Sequence, residues 1–254
     1  MRILCSNDDG IHSPGLAALE DIARTLSDDV WTVAPEIDQS GMSRSITLTR
    51  PLRIRKEGDQ RFAVDGTPTD CVQLAVGHLL DRRPDLVLSG VNNGHNLAED
   101  VSFSGTIAVA LHGMTYKIPS VAFSQARMDR NKPRWDTARA WGPKVLKRLL
   151  DVGWPDDVVM NVNFPNRGPE EVGGVAVCHQ GRRANVELYA EERTDLRQRR
   201  YYWFGFQGTP EEPPAGTDLR AIYDGLVAVT PLHLAFTHEP TMPALEKALD
   251  DLAE

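Results

Sequence analysis

The 254-residue sequence predicts an α/β fold with a doubly wound, mostly parallel sheet. Two observations lead to this prediction: apolar runs of strand length alternate with amphipathic helical patterns, and polar loops follow the strands. The chain is long enough for one large domain with a sizeable core. We expect the α/β core to occupy residues 1–165, and residues 166–254 to form a smaller β-rich extension of the same domain.

The first part of the chain predicts a β-α-β unit. Arg2 to Ser6 is a short apolar run of strand length. Pro14 then begins a helical pattern, because Pro is favoured at the first helical position and apolar residues follow at helical spacing. Val30 to Ala34 predicts a second strand, which Pro35 ends.

Ser45 to Val64 predicts a β-hairpin, because apolar and polar residues alternate and Glu57-Gly58-Asp59 supplies a turn. A helix through Leu79 is predicted next, with Thr67 as its N-cap and Pro68 at its first position. The α/β alternation then continues through five predicted elements: strand Asp85 to Ser89, helix Thr106 to Met114, strand Ser120 to Phe123, helix Thr137 to Leu150 and strand Val158 to Val162.

Past Pro165 the pattern changes to shorter β runs and a Pro-rich loop at Glu211 to Pro214. Arg182 to Phe206 is charged and rich in aromatic residues. It is either a half-exposed surface hairpin or an arm that packs on another subunit, since exposed aromatic patches often mark partners. Pro243 to Leu252 predicts a closing helix.

Composition excludes several classes of function. The formal net charge of −8 argues against a nucleic-acid polymer as partner, because such binding depends on basic patches. Three widely separated cysteines predict reduced thiols and exclude a Cys-rich zinc site. Without a long apolar segment or a signal-peptide pattern, we expect a cytoplasmic protein that makes no membrane contact.

Two adjacent carboxylates, Asp8 and Asp9, follow the first predicted strand, where ligands bind in open α/β sheets. Holding both near one point is costly unless a cation lies between them, and oxygen ligands suit Mg²⁺, Mn²⁺ or Ca²⁺. The alternative is that they cap the helix that begins at Pro14. Ser40, after the second strand, could add a neutral oxygen ligand.

Two later loops carry further polar groups. Ser89 to Asn96 is rich in Gly and Asn, whose amide oxygens can bind a metal, although such residues also form ordinary turns. Ser102 to Thr106 leads into an Ala-rich helix, where free N–H groups and hydroxyls make an anion site. The Walker, dinucleotide-binding and Gly-x-Ser-x-Gly patterns are absent.

Taken together in their order and spacing, these motifs closely resemble the SurE (survival protein E) nucleotidase family. The resemblance rests on Ser6-Asn7-Asp8-Asp9-Gly10, Ser40-Gly41, Gly66-Thr67-Pro68-Thr69-Asp70-Cys71-Val72, Ser89-Gly90-Val91-Asn92-x-Gly-x-Asn96 and Ser104-Gly105-Thr106. Val229-Thr230-Pro231-Leu232 resembles the last strand of the family.

The resemblance implies a Rossmann-like core, one divalent cation per subunit and hydrolysis of nucleoside 5'- and 3'-monophosphates, with short polyphosphate as a further substrate of some members. It implies Asp8, Asp9, Ser40 and Asn92 as metal ligands, with both aspartates catalytic. It implies Asn96, Ser104, Gly105 and Thr106 as phosphate-binding residues. It also implies homodimers or homotetramers that exchange C-terminal segments.

The sequence departs from the family at His95, Ala98 and Phe103, none of which is an implied ligand. Ala235 replaces an Asp that many members carry, which removes support for a catalytic role of His233. Two mechanisms stay open: water activated beside Asp8 and Asp9, or a covalent aspartyl-phosphate. A non-catalytic nucleotide or metal sensor and a purely structural oligomer are the alternative functions.

Overall fold

The computed structural model describes residues 1–127, 133–208 and 211–252. The eleven strands of these residues are β1 (Ile3–Ser6), β2 (Val30–Pro35), β3 (Ile54–Gly58), β4 (Arg61–Val64), β5 (Leu86–Asn93), β6 (Ser120–Gln125), β7 (Val158–Phe164), β8 (Val175–Val177), β9 (Val186–Thr194), β10 (Arg200–Gly208) and β11 (Val227–His233). The α-helices are α1 (Pro14–Arg24), α2 (Pro68–Leu74), α3 (Gly105–Thr115), α4 (Trp135–Val152), α5 (Asp218–Tyr223) and α6 (Met242–Leu249).

Nine of these strands form one sheet in the order β3-β4-β2-β1-β5-β6-β7-β11-β8. The six strands from β4 to β7 in this order are parallel, whereas β3 and β11 are antiparallel to their neighbours β4 and β7. The predicted mostly parallel α/β sheet is therefore confirmed. The register pairs Ser6 of β1 with Ser89 of β5, which sets the loops after these strands side by side.

Helices cover both faces of the sheet. On one face, α1 and α4 bury apolar side chains such as Leu19 and Leu146 against β1, β5 and β6. On the other face, α2 and α3 pack through Val72 and Val109 against Leu4 and Val87. Two-sided burial explains why the central strands are apolar runs rather than alternating patterns.

The predicted starts of the first two helices are confirmed. Pro14 stands at the start of α1, and the Ser13 hydroxyl accepts the Leu16 N–H as N-cap. At α2, Thr67 accepts the Asp70 N–H while the Asp70 carboxylate accepts the Thr67 N–H, which makes a capping box. The helix predicted through Leu79 ends in a π-helical turn from Ala75 to Leu79.

The hairpin predicted from Ser45 is wrong in its first half. Only β3 and β4 pair, and residues 45–53 have no strand structure although their polarity alternates. Ile46 and Leu48 are 54% and 86% exposed, so the alternation does not mark a buried face here. β5, in contrast, runs four residues beyond its predicted end and includes Asn92.

The C-terminal residues complete the main sheet and add an arm. β11 lies between β7 and β8, while β9 and β10 pair only with each other as a separate hairpin, here called the arm. The predicted aromatic hairpin is thus confirmed as secondary structure. The closing helix is α6, which begins one residue before the prediction. No helix among the described residues is long and apolar enough to cross a membrane.

Candidate active site

The loops after β2, β1 and β5 meet at the carboxyl edge of the sheet, because these three parallel strands are neighbours. Asp8 and Asp9 follow β1, Asp38 and Ser40 follow β2, and Asn92 lies near the end of β5. The backbone carbonyl of Asp8 accepts the Gln39 N–H at 2.8 Å, which ties the first two loops together.

The loop that carries the aspartates is folded by Asn7. Its Nδ2 donates to the Gly10 carbonyl at 3.0 Å and to the Ser13 hydroxyl at 2.7 Å. Gly10 has a φ of 96°, which only glycine adopts without strain. Because Ser13 caps α1, the alternative in which Asp8 and Asp9 cap this helix is wrong.

Asp8 is buried against the start of α3. Its carboxylate is only 4% exposed, and Oδ1 accepts the Thr106 hydroxyl at 2.5 Å. A Cβ at Gly105 would lie 2.6 Å from Asp8 Cβ and 2.9 Å from Oδ2. The absence of a side chain at Gly105 is therefore what lets the helix terminus reach the carboxylate.

Asp9 points in a different direction. Its Oδ2 accepts the Asn93 N–H at 3.1 Å, which joins the first loop to β5. Asp9 also lines an open cleft of about 870 Å³ together with His12, Asp38, Asn93 and Trp135. We call this space the Asp9 cleft.

The three carboxylates of this edge repel one another. Burial raises the pKa of Asp8, opposed mainly by the Thr106 hydroxyl, and Asp38 raises it further. Burial first, and then the charge of Asp8, raise the pKa of Asp9 to about 7. Sequence reasoning did not single out Asp38, although its place two residues before Ser40 in the loop after β2 was a usable signal.

This shift predicts how the metal-free protein responds to pH. The folded state keeps a proton on Asp9 that the unfolded chain releases near its ordinary pKa of 3.8, so stability falls as pH rises toward about 7. Asp9→Asn removes this loss. In thermal unfolding with EDTA, we expect the variant to melt above wild type at about pH 8 and the gap to shrink toward about pH 4. An unchanged gap across this range would contradict the assignment.

The donor set at this edge fits a hard divalent cation. Its groups are carboxylate, hydroxyl and amide oxygens, which Mg²⁺, Mn²⁺ and Ca²⁺ prefer. Asn92 donates through Nδ2 to the Gly94 carbonyl at 3.0 Å, so its Oδ1 is left to accept or ligate. Ser40 is exposed, and its N–H donates to Asp38 Oδ1 at 2.7 Å. No cluster of three or more His, Cys, Asp or Glu that could hold a metal occurs within the described ranges.

The start of α3 supplies groups that can bind an anion. The Ser104 hydroxyl caps the helix by accepting the Ile107 N–H at 3.0 Å, and the Thr106 hydroxyl is engaged by Asp8. Both hydroxyls thus build the helix terminus. The first-turn N–H groups, including those of Gly105 and Thr106, have no acceptor within the helix and point toward its N-terminal end.

Asn96 is held by a buried amide network that sequence reasoning missed. Its N–H donates to Asn163 Oδ1 at 2.8 Å, and its carbonyl accepts Nδ2 of Asn161 and of Asn163 at 2.9 and 3.2 Å. Its own Nδ2 donates to the Ser124 hydroxyl at 2.9 Å. The signal was Asn161-Val162-Asn163 in a strand, because alternate residues share one face and two buried amides need partners.

His95 and His233 lie in different parts of the structure. His95 is partly exposed, and its Nδ1 lies 3.3 Å from Asp100 Oδ2. His233 is at the exposed end of β11, where Nδ1 accepts the Ala235 N–H at 3.2 Å. The polar edge is therefore built from Asp8, Asp9, Asp38 and the start of α3, with His95 at its border.

Comparisons with known proteins show which family this chain resembles. The sequence model of the family described as "Survival protein SurE" matches residues 3–187. A protein of Caulobacter vibrioides named 5'-nucleotidase SurE is 56% identical over 253 residues, which are 98% of this chain and 96% of that protein. One of the same name from Hyphomonas neptunium is 52% identical over 250 residues, 98% and 99% of the two chains.

A solved structure is also similar. The crystal structure of the SurE protein from Aquifex aeolicus has a TM-score of 0.85 and 37% sequence identity to this chain. The match covers 98% of this chain and 99% of that one. The similarity extends over the C-terminal arm and closing elements as well as the sheet.

Proposed function

Because this chain belongs to the SurE family, we propose that it is a 5'-nucleotidase that hydrolyses nucleoside monophosphates to nucleoside and phosphate. The names of its full-length relatives support this activity. The structural observation that carries it is the contact between Asp8 and the start of α3. This contact sets an acidic group beside a helix terminus that attracts anions, and phosphoryl transfer needs both.

We propose a divalent cation, Mg²⁺ or Mn²⁺ with Ca²⁺ as a third candidate, held by Asp8, Asp9, Ser40 and Asn92. The all-oxygen donor set and the mutual repulsion of the aspartates support this assignment. Such an ion neutralises phosphate charge and lowers the pKa of water. Three loops that share this edge of the sheet would supply the ligands, although these are distant in sequence.

The phosphate would be bound by Asn96, Ser104, Gly105 and Thr106. Backbone N–H groups at the start of α3 stabilise charge on the transferring phosphoryl oxygens. Asn96 is fixed by its buried neighbours, and Ser104 and Thr106 hold the helix terminus in place. This division of roles makes the backbone, rather than the hydroxyls, the main anion-binding group.

We propose water as the nucleophile. Asp8 or Asp9 orients the water and takes its proton as its oxygen bonds to phosphorus, and the bond from phosphorus to the nucleoside oxygen breaks. The nucleoside oxygen keeps the electron pair of that bond and takes a proton from solvent, which leaves a free hydroxyl. The Asp8 carboxylate already accepts the Thr106 hydroxyl and is buried, which leaves it poorly placed to attack. Detection of a phosphorylated Asp8 by trapping and mass analysis would support the covalent mechanism instead.

The function is tested by phosphate release. A panel of nucleoside 5'- and 3'-monophosphates and short polyphosphate is assayed with Mn²⁺, with Mg²⁺ or with EDTA. We expect metal-dependent release from the 5'-monophosphates, with the 3'-monophosphates and polyphosphate as further substrates. Absence of release with either metal, from protein shown to be folded by circular dichroism, would favour the sensor alternative.

Asn163 is predicted to support this activity without touching substrate. Asn163→Val removes the hydrogen bonds to the Asn96 backbone, so kcat/KM should fall about tenfold through misplacement of Asn96. The buried groups left unpaired should lower the free energy of unfolding by about 1–3 kcal/mol. Met160→Leu in the same strand is the control, because it conserves volume and touches no amide of the network. Equal kcat/KM in both variants would contradict the role.

We propose that the chain forms homodimers or homotetramers through its C-terminal segments. The arm exposes Trp203, Phe204 and Phe206, and α6 exposes Leu245 and Leu249. Exposed apolar surface of this extent favours burial in an interface. On the basis of the same surfaces, we propose that residues 1–165 form the core. Residues 166–254 would then form an extension that is exchanged between subunits.

A charge in the arm is predicted to dissociate the oligomer. Trp203 is 62% exposed, and Trp203→Asp sets a carboxylate in the proposed interface. We expect size-exclusion chromatography with light scattering to show a smaller mass than for wild type. Val152→Asp, at an 85% exposed position in α4, is the control and should leave the mass unchanged. A monomeric wild type would contradict the proposal.

We also propose a cytoplasmic location. Cys5, Cys71 and Cys178 are all buried and free of disulfides, as expected of a protein in a reducing compartment. The acidic net charge supports a small nucleotide, rather than a nucleic-acid polymer or an anionic membrane, as its partner.

A further inference from the structure

A third carboxylate, that of Asp38, lies at the carboxyl edge of the sheet and stands outside the proposed ligand set. Two contacts place its loop against the loop of Asp8 and Asp9. The residue after it, Gln39, donates its N–H to the Asp8 carbonyl at 2.8 Å. A Cβ at Gly10 would lie 3.5 Å from the Asp38 nitrogen. The loop after β2 therefore packs directly on the loop that carries the two aspartates.

The side chain of Asp38 belongs to the same edge. It lines the Asp9 cleft together with Asp9. Its Oδ1 accepts the Ser40 N–H at 2.7 Å, which ties the carboxylate to the backbone of a proposed ligand. Among the residues that the structure describes, Oδ2 has no hydrogen-bond partner and the carboxylate has no ion-pair partner. The charge of Asp38 is therefore not neutralised by a direct contact within the described part of the chain.

This charge reaches both neighbouring aspartates. Burial is the largest cause that raises the pKa of Asp8 and of Asp9, and the charge of Asp38 raises both further. Arg127 lowers the pKa of Asp9, but by less than Asp38 raises it. The Coulomb interaction that disfavours two neighbouring anions favours a cation at the same place. A divalent ion beside Asp8 and Asp9 would therefore be attracted by Asp38 as well.

We propose that Asp38 is a positioning residue of the cation site. Its charge strengthens the binding of the proposed divalent cation from outside the ligand set, and its Oδ1 holds the backbone of Ser40 in place. This inference rests on the proposed cation and deepens it by adding a residue that acts on the ion without coordinating it. Partners behind the ligands commonly change metal affinity about 10–100-fold.

The alternative role of Asp38 is plain turn formation. Asp side chains often accept the N–H two residues ahead in a turn, which is where Ser40 stands. In that role only the accepting oxygen matters. Two substitutions separate the roles: Asp38→Asn keeps an oxygen that can accept the Ser40 N–H but removes the charge, whereas Asp38→Ala removes both.

The metal-free protein gives a readout that a turn role would not move. Because the carboxylates of this edge repel one another, loss of the Asp38 charge relieves repulsion. We expect Asp38→Asn to melt above wild type in EDTA at about pH 8, and Asp38→Ala to melt below Asp38→Asn because the hydrogen bond to Ser40 is lost. A variant that is more stable without metal and binds the cation less tightly does not act through structural damage.

The test titrates metal-free, full-length protein with MnCl2 in an isothermal calorimeter. The matched control is Asp59→Asn, which removes the same charge from an exposed turn before β4. This turn lies at the opposite, amino edge of the sheet, because β4 runs parallel to β2. We expect the Kd for Mn²⁺ to rise about tenfold in Asp38→Asn and further in Asp38→Ala, and to be unchanged in Asp59→Asn.

Ionic strength isolates the contribution of charge. Asp38 is exposed, so salt screens it, and the ratio of the Kd of Asp38→Asn to that of wild type should shrink between about 0.05 and 0.5 M NaCl. Equal Mn²⁺ affinity of wild type and Asp38→Asn, or an Asp38→Asn that melts below wild type in EDTA, would overturn the role of Asp38 and leave the cation site in place. Absence of Mn²⁺ binding by folded wild type would overturn the cation site and this role together.

Discussion

Asp8→Asn is expected to lower kcat about a hundredfold or more while the fold is retained. The substituted amide keeps an oxygen where Oδ1 now accepts the Thr106 hydroxyl, so the contact between the loop and α3 survives. What is lost is the negative charge that the proposed cation needs. Phosphate release across a metal titration measures the effect, since weaker metal binding shifts the midpoint as well as the maximum.

A matched substitution separates this effect from a general loss of charge. Asp28→Asn changes an exposed aspartate far from the carboxyl edge of the sheet and should leave both the maximum and the metal midpoint unchanged. Circular dichroism and thermal unfolding confirm that Asp8→Asn is folded. Full metal-dependent turnover by Asp8→Asn would remove Asp8 from the site.

Gly105→Ala is expected to have the second largest effect, about a hundredfold in kcat/KM. The added methyl group would lie 2.6 Å from Asp8 Cβ, which is closer than real Cβ atoms approach. Either Asp8 or the start of α3 must move, and a shift of about 1 Å between a carboxylate and an anion site is enough for such a loss. The change therefore tests the contact itself rather than either partner.

Gly77→Ala is the control for this substitution. Its Cβ would meet only Gln73 Nε2 at 3.6 Å, an ordinary contact. Activity should be unchanged and stability equal or slightly higher, because alanine restricts the unfolded chain. If Gly105→Ala were as active as Gly77→Ala, α3 would not be the anion site.

The parallel sheet could be predicted because its signals are local. Apolar runs for β1, β2 and β6, the start of α1 at Pro14 and the Thr67 cap of α2 depend on neighbouring residues, so the sequence was sufficient for them. The strand prediction for the segment from Ser45 was wrong because it, too, used only local signals. Its alternation of apolar and polar residues is a strand signal, but no neighbouring strand pairs with it and its apolar side chains stay exposed.

The site was predictable where strand order brings loops together and was missed where pairing across the sheet matters. Asp8 and Asp9 follow a strand end, and Ser104 to Thr106 begin a helix, both of which the sequence marks. Asn161 and Asn163 act on Asn96 from 65 and 67 residues away, and only the register of β6 and β7 brings them to it.

The place of β11 bears on when during its synthesis the protein gains activity. This strand pairs Thr230 with Asn161 and Ala228 with Asn163, beside the amides that fix Asn96. A nascent chain can form β1, α1 and β2 early, because domains begin to fold while synthesis continues. The support behind Asn96, however, is finished only when residues near His233 have left the ribosome. We therefore expect hydrolysis to begin only with the released chain, and a product that terminates before β11 to carry every proposed metal ligand but to be inactive.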